Sequence, residues 1–261
     1  MDALRIAATG MDAQQTRVAV ISNNIANMST TAYNTRRAEF SDLLYQQNQP
    51  AGAVNAETGV LLPAGVQIGV GVRPSAVSMS VEQGSLKATG GDLDIAIEGR
   101  GYFEIELPSG ESAFSRDGTF KRSAEGLIVN SEGFPLAANI TIPQDARNIT
   151  INPDGEIYAY FDDQPQGQLI GVFDIITFVN ESGLEAIGSN MFRETAASGV
   201  PIIGDAGLEG RGTLRQGYLE QSSVDVVEQI ADLIEAQRGY ELNSRVVSAA
   251  DQMLSAMAQL R

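Results

Sequence analysis

Asp94 and Glu106 are the first candidates for chemistry in this sequence, because the segment DLDIAIEGRGYFEIEL around them alternates acidic with apolar residues. The alternation predicts an antiparallel hairpin that turns at residues 99–101 and pairs Ile97 with Phe103 on its apolar face. The same register sets Asp94 against Glu106 on the other face, with two more acids nearby. Paired carboxylates of this kind can hydrolyse a glycosidic bond or bind a hard cation.

The residue types available limit such chemistry severely. The chain has neither histidine nor cysteine, so it cannot form a Ser-His-Asp triad, a thiol nucleophile or a zinc-cysteine site. No other group converges on Asp94 and Glu106, and the favoured interpretation is therefore a solvated acidic face. An enzyme that acts on peptidoglycan with carboxylates alone is kept as an alternative.

Two further motifs fail as ligand sites. In INPDGEIYAYF, a calcium loop with Gly155 in its sixth position would need carboxylates where Thr150 and Phe161 stand. The two Gly-Arg-Gly segments, at residues 99–101 and 210–212, are not followed by a helix that carries a basic residue, as a phosphate cradle requires. We therefore expect no catalytic residues, no cofactor and no metal.

The net charge and the distribution of apolar residues limit the partners and the cellular location that this chain can have. With 33 acidic and 17 basic residues the net charge is −16, which argues against binding to nucleic acid or to anionic lipid. No window of about 18 apolar residues is present, so we predict no membrane insertion. The first residues show no basic region followed by an apolar one, and we expect no cleavable signal peptide.

The N-terminal region predicts an amphipathic helix. Apolar residues recur in a heptad pattern, with a helix end expected near Ser29. The residues of this seam are Leu4, Met11, Val18 and Ile25 in one position and Ala7, Gln14, Ile21 and Met28 in the alternate one, with Gln14 as its one polar break.

The C-terminal region predicts a second helix, which begins after Ser222 and Asp225 because these residues have the spacing of a capping box. Its apolar stripe consists of Val227, Ile230, Ile234, Val246, Ala249, Met253, Ala256 and Leu260.

Each helical region has a stretch that is unusually poor in charge, and between Arg245 and Arg261 the only charged residue is Asp251. Residues 18–33 contain no charged side chain and carry the amides Asn23, Asn24 and Asn27 within one helical turn. An exposed helix face ordinarily carries Glu and Lys, so this surface indicates that protein covers the helices on all sides. Neighbouring copies of the chain could supply that cover, with the amides hydrogen-bonded across helices.

Between the helices, turn signals separate short alternating runs, which is typical of antiparallel β-structure. The predicted fold class is α+β, with a mostly-β middle flanked by terminal helices that pair in a coiled-coil-like inner layer. Residues 46–66, which include Gln46, Pro50 and Pro63, have the composition of a linker.

Three long motifs in this order resemble those of the bacterial flagellar rod and hook proteins. They are VISNNIANMSTTAYNTRRAEFSDLLYQ, GRGYFEIELPSGESAFSRDGTFKRSAEGLIVNSEGFPL and QGYLEQSSVDVVEQIADLIEAQRGYELNSRVVSAADQML. The last contains Gln237, Arg238, Tyr240 and Asn243 of the family core QRGYELN. The family commonly has glycine or proline in the turn after the first helix, where this chain has Thr31-Ala32-Tyr33. Length and the segment VQIGVGVRPSAVSMSVEQGSL are most similar to the distal-rod branch, and a proximal-rod or hook paralogue is the alternative.

The resemblance implies a structural, non-enzymatic subunit of the flagellar basal body. Copies would assemble helically into a hollow shaft that spans the periplasm and transmits torque from motor to hook. The expected partners are further copies, other rod proteins, the hook protein, the periplasmic and outer-membrane ring proteins and the type III export apparatus. Residues 1–33 and 222–261 would form the inner helical domain, 34–75 a connector or brace, and 76–221 the outer β-rich domain. The interface would include the helical residues named above, and the brace Gln46, Pro50 and Pro63.

Overall fold

A computed structural model describes residues 2–49, 65–162 and 164–259 of the chain. The chain divides into two compact units. The helical unit comprises Met1–Ala26, Arg36–Ser78 and Asp225–Arg261, and the β unit comprises Asn27–Thr35 and Met79–Val224. Leu260, Pro50 and Pro63 of the predicted interface and brace lie outside the described residues.

The helical unit is built on two long helices, α1 (Asp2–Ala26) and α2 (Val226–Gln259), which pack against each other. They run antiparallel, because Gly10 faces Asn243 and Gln14 faces Gly239. A Cβ atom added at Gly10 would lie 2.9 Å from Asn243 Oδ1, so the small residue allows the helices to approach closely. The terminal helices pack against each other as predicted, whereas the coiled-coil-like arrangement stays a prediction.

The helix boundaries differ slightly from those predicted. α1 ends at Ala26, about one turn before Ser29. At the start of α2, Asp225 is the capping residue, since its Oδ1 accepts from the N–H of Val227 at 2.9 Å. The predicted capping box was wrong, because Ser222 Oγ instead accepts from the N–H of Val224 in a local turn.

Two β-ribbons complete the helical unit. β1 (Arg36–Asp42) pairs with β4 (Val72–Met79), and β2 (Tyr45–Gln49) pairs antiparallel with β3 (Val66–Gly69).

The β unit contains fifteen described strands and one 3₁₀ turn, Glu181–Gly183. The strands are β5 (Leu86–Ala88), β6 (Ile95–Glu98), β7 (Phe103–Glu106), β8 (Ser112–Ser115), β9 (Lys121–Arg122), β10 (Ile128–Val129), β11 (Asn148–Ile151), β12 (Glu156–Phe161), β13 (Gln164–Val172), β14 (Asp174–Thr177), β15 (Glu185–Gly188), β16 (Met191–Arg193), β17 (Ile202–Asp205), β18 (Thr213–Gln216) and β19 (Tyr218–Glu220). They form small antiparallel sheets in the orders β15-β16-β8-β7, β11-β12-β13, β14-β17, β18-β6, β19-β5 and β10-β9. The predicted α+β class with an antiparallel middle is confirmed.

The hairpin predicted at residues 99–101 is absent from the described β unit. β6 pairs with β18, which places Leu214 opposite Ile97, and β7 pairs with β8, which places Ser115 opposite Phe103. The carbonyls of residues 99 and 101 accept hydrogen bonds from Arg116 instead of closing a turn. The glycines therefore carry the chain from one sheet to another.

Three apolar clusters fill the described β unit, and the smallest consists of Ile105, Ala113 and Met191. The largest surrounds Phe103, Phe120 and Phe173, whose rings contact one another. In the second, Tyr102 and Phe178 pack edge to face with ring centroids 5.9 Å apart. Burial of such aromatic side chains is the main source of stability for a unit with so many short strands.

The turn after α1 belongs to the β unit. Ala32 is buried and takes a left-handed conformation with φ of 53°, and its N–H donates to the carbonyl of Glu220 at 2.9 Å. The carbonyl of Tyr33 accepts from the N–H of Ser223 at 3.0 Å. This position requires the backbone geometry that glycine adopts most easily, although alanine stands here.

Candidate assembly surface

The carboxylate pair considered from the sequence does not form. Asp94 bridges to Thr119 and accepts a hydrogen bond from Thr89, whereas Glu106 lies opposite Ser112. Glu106 instead borders an open depression with Glu132, and both carboxylates are exposed to solvent. An exposed carboxylate lacks the apolar surroundings that prepare a general acid.

A different group of acids does come together. Asp174 lies directly opposite Asp205 in the β14–β17 pair. Burial raises the pKa of the Asp174 carboxyl, and the charges of Asp205 and Glu104 raise it further. Within the part of the chain that the structure describes, no group of three or more His, Cys, Asp or Glu residues is arranged to hold a metal ion. No described helix is long and apolar enough to cross a membrane.

The ion pair between Arg116 and Glu220 was not predicted from the sequence. Arg116 Nε and Nη2 donate to Glu220 Oε2 at 3.0 and 2.8 Å, and both side chains are buried. The N–H of Gly84 donates to Glu220 Oε1 at 3.0 Å. The two residues lie 104 positions apart, and short-range patterns cannot reveal such a pair.

A second buried acid, Glu181, lies nearby. It accepts from Arg100 Nη2 at 2.7 Å and from the Tyr102 hydroxyl at 3.2 Å. Burial, followed by the charge of Glu181, raises the pKa of the Tyr102 hydroxyl, which therefore remains a neutral donor. These buried charges have hydrogen-bonded partners and serve the structure of the β unit.

The helical unit holds the predicted interface residues of α1 at different depths. Ile21 and Asn24 are buried, whereas Leu4, Met11, Val18 and Ile25 are half-buried and Asn23 is exposed. In the turn that follows, which belongs to the β unit, Asn27 is half-buried and Met28 is exposed.

Asn24 has a definite role within the helical unit. Its Nδ2 donates to Gln229 Oε1 at 2.9 Å and to the carbonyl of Arg36 at 2.8 Å. Its Oδ1 accepts from the N–H of Arg36 at 3.0 Å. One amide of the charge-free segment thus joins α1 to α2 and to the start of β1 inside a single chain.

α2 contacts α1 through small and polar residues. Ala236 and Ala250 are buried, and Gly239 faces Gln14. The contact also contains an ion pair between Arg17 Nη2 and Asp232 Oδ1 at 2.9 Å.

The apolar residues predicted for α2 lie on the surface that α1 leaves uncovered. Val227 is 78% exposed and Ile234 is 46% exposed. The exposed members of the predicted set are Val227, Ile230, Ile234, Gln237, Arg238, Tyr240, Val246 and Met253, and Asn243 is half-buried. We call Val227, Ile230, Ile234, Val246 and Met253 the outer stripe of α2.

The ribbon of β2 and β3 is also apolar and exposed. Leu44, just before it, is 87% exposed, and Tyr45 and Ile68 are exposed on the strands. Gln46, from the predicted brace, lies opposite Ile68 with its side chain exposed. An isolated two-stranded ribbon is marginally stable in water, so this one needs further contacts.

Comparisons with known proteins identify three family matches along the chain. Residues 4–33 match the family described as flagella basal body rod protein. Residues 96–159 match the flagellar hook protein FlgE/F/G D1 domain, and residues 215–260 match the C-terminal region of the flagellar basal body rod FlgEFG proteins. Among solved structures, the Helicobacter pylori flagellar hook protein FlgE2 is 14% identical to this chain, with a TM-score of 0.25. The match covers 72% of this chain and 43% of that chain, and its low TM-score supports no conclusion about this protein.

Full-length relatives share the sequence from end to end. The flagellar basal-body rod protein FlgG of Caulobacter vibrioides is 51% identical over 100% of both chains. The FlgG proteins of Agrobacterium fabrum and Bacillus subtilis are 46% identical over 99% of both chains and 34% identical over 97% of this chain and 96% of the other. The chain therefore belongs to the flagellar basal-body rod protein family.

Proposed function

We propose that this protein is a structural subunit of the distal rod of the bacterial flagellum, and that its copies assemble helically into a hollow shaft that transmits torque from motor to hook. The observation that carries the proposal is the outer stripe of α2. Its side chains are apolar and exposed in the single chain, while α1 occupies a different face of the same helix. Exposed apolar surface of this extent is the mark of a protein–protein interface.

The shape of the α1–α2 contact explains why the stripe is left for other copies. Gly10, Gly239 and Ala236 let the two helices approach closely and bury little apolar surface. The larger side chains of α2, among them Ile230 and Ile234, point elsewhere. Covering them with helices of neighbouring copies would supply most of the assembly energy, since each buried aliphatic side chain contributes about 1.5–3 kcal/mol.

The proposed role is non-enzymatic. The family name and the separated carboxylates support it, because Asp94 forms an isolated bridge with Thr119 whereas Glu106 lies opposite Ser112 in the β7–β8 pair. A carboxylate-based enzyme is accordingly not favoured.

We place the protein in the periplasm-spanning part of the basal body, with the other rod proteins, the hook protein, the ring proteins and the export apparatus as partners. Residues 1–33 and 222–261 are assigned to the inner layer of the shaft and 76–221 to its outer domain. Residues 34–75 are assigned to a connector that braces neighbouring copies. The exposed Leu44 and Tyr45 on the β2–β3 ribbon support the brace, since they offer apolar surface beside it.

Electron microscopy of concentrated purified protein tests the proposal. The wild-type chain should form straight tubes, and Ile234→Asp should prevent them because it places an unpaired charge inside the assembly. Ile234 is exposed in the single chain, so the variant should retain the circular dichroism spectrum and unfolding midpoint of dilute wild-type protein. Ser109→Asp, in an exposed turn of the β unit, is the matched control and should still form tubes. Wild-type protein that forms no ordered polymer would overturn the proposal.

A further inference from the structure

The β unit carries an apolar patch that neither its core nor the helical assembly uses. Val179 and Val200 are 78% and 79% exposed. They are neighbours, since a Cβ atom added at Gly199 would lie 3.9 Å from Val179 Cβ. Ile202, also exposed, lies opposite Thr177 in the β14–β17 pair. Val179 and Val200 each lie two residues beyond that pair, at the end where Thr177 and Ile202 are opposite each other. We call Val179, Val200 and Ile202 the valine patch.

The patch rests on an ordered platform. The N–H of Asn180 donates to the carbonyl of Ser198 at 3.2 Å, and Asn180 Nδ2 donates to the carbonyl of Ala197 at 3.0 Å. Ser198 is fully buried, and its hydroxyl closes a turn with Thr195. These bonds hold the valines in place before any partner arrives, so little conformational entropy remains to be lost on binding.

The segment that carries Val200 and Ile202 has no charged residue, although it belongs to a strongly acidic unit. Residues 195–204 contain no charged side chain. The β unit as a whole holds two thirds of the 33 acidic residues but only about half of the 17 basic ones. Two copies of this unit repel each other wherever acidic faces meet, and they can approach at least electrostatic cost through a surface without charge.

These observations select one kind of partner. A basic protein would gain more from the acidic faces, such as that of Asp174 and Asp205, than from an uncharged patch. An anionic membrane would be repelled by the rest of the unit. We infer that the valine patch is a contact between the β unit of one copy and another copy of this chain. This inference rests on the proposed function and adds a contact that does not involve the helices.

The contact is made by side chains. Pro201, between Val200 and Ile202, has no N–H to donate at the start of β17, and proline at such a place hinders the addition of a further strand. Burial of the valine patch against apolar side chains of the next copy is therefore the expected geometry.

Photo-crosslinking from residue 200 tests the inference. Val200 is replaced by p-benzoylphenylalanine, basal bodies are isolated and irradiated, and the crosslinked peptides are identified by mass spectrometry. A crosslink to a peptide of a second copy is the expected result. A crosslink to a different protein, or none from residue 200 while the same reagent at residue 234 joins copies, would overturn the inference.

A pair of charge variants separates this contact from the helical one. Val179→Asp with Val200→Asp should raise the protein concentration needed for polymerisation at least about tenfold, because two charges would be buried without partners. Ser109→Asp with Ser131→Asp adds the same charge at exposed turns and should leave that concentration unchanged. If both variants polymerise like wild type, the valine patch is no contact and the proposed function stands. If wild type does not polymerise, the proposed function fails and this inference with it.

Discussion

Arg116 and Glu220 form an ion pair in the interior of the β unit, with Arg116 Nη2 2.8 Å from Glu220 Oε2. The same arginine donates to the carbonyls of residues 99 and 101, and the backbone N–H of Ala32 donates to the carbonyl of Glu220. The pair therefore ties together three parts of the β unit that are distant in sequence: the glycine segment, the last strand and the turn that follows α1.

Removing Arg116 should be strongly destabilising. Arg116→Met leaves the Glu220 carboxylate buried and without its cation, which costs about 3–5 kcal/mol. Urea unfolding of the full chain followed by tyrosine fluorescence measures the loss. Arg147→Met is the control, because its pair with Asp162 is exposed on both sides and should contribute less than about 1 kcal/mol. Equal effects of the two variants would contradict the role assigned to the buried pair.

Asn24 should stabilise the helical unit. Asn24→Ala removes the partner of Gln229 Oε1 and of the backbone of Arg36, and we expect a loss of about 1–3 kcal/mol because these polar groups would be left without their buried partner. Thermal unfolding followed by circular dichroism at a helical wavelength would report it. Ser22→Ala, at an exposed position on the same helix, should leave the midpoint unchanged or raise it slightly. An Asn24→Ala midpoint equal to that of Ser22→Ala would show that the amide matters only in the assembly.

Ala32→Gly should stabilise the chain. Alanine pays a penalty at φ of 53° that glycine does not, and the expected gain is about 0.5–1 kcal/mol. Denaturant unfolding compares this variant with Ala88→Gly, a substitution in strand β5 that should instead cost a similar amount. A loss of stability in Ala32→Gly would argue against the left-handed turn.

Asp174→Asn should stabilise the β unit at neutral pH but not in acid. The folded state raises the pKa of Asp174, so ionising this group costs folding free energy once the pH rises past the unfolded-state pKa. The variant should therefore gain less than about 1 kcal/mol at pH 7, because solvent screens the repulsion from Asp205. The gain should disappear below about pH 4. Unfolding curves across this range check the sign, and a gain that grows as the pH falls would refute the explanation.

The sequence predicted the parts of the fold that depend on local periodicity. The heptad in α1 and the stripe in α2 predicted two helices, and the turn signals predicted antiparallel strands, because both patterns arise within one element. The sequence did not predict the partner strands of β6 and β7. The alternating apolar residues around Ile97 and Phe103 suit many partner strands. The actual pairing depends on Arg116 and on β18, both of which are distant along the chain.

The candidate surface could be predicted only in outline. Charge-poor helices indicated that something covers them, but the sequence did not show which face α1 takes. Gly239 determines which face of α2 contacts α1, because its lack of a side chain lets Gln14 approach. The bulkier Ile234 then remains exposed, outside the α1–α2 contact. The partners of Asn24 were not predicted, because Gln229 lies 205 positions away along the chain and contacts the amide only once the helices have packed.

The central claim is that other copies of the chain cover the outer stripe of α2, and thiol accessibility at Ile234 tests it most directly. Since the chain has no cysteine, Ile234→Cys introduces a single reactive group. Its rate of reaction with a maleimide is measured in dilute protein and in assembled tubes, with Ser109→Cys as a reference for access of the reagent to the β unit. Fast labelling in dilute protein and strong protection at residue 234 in the tubes is the predicted result. Labelling at residue 234 that is equally fast in both states would contradict the claim.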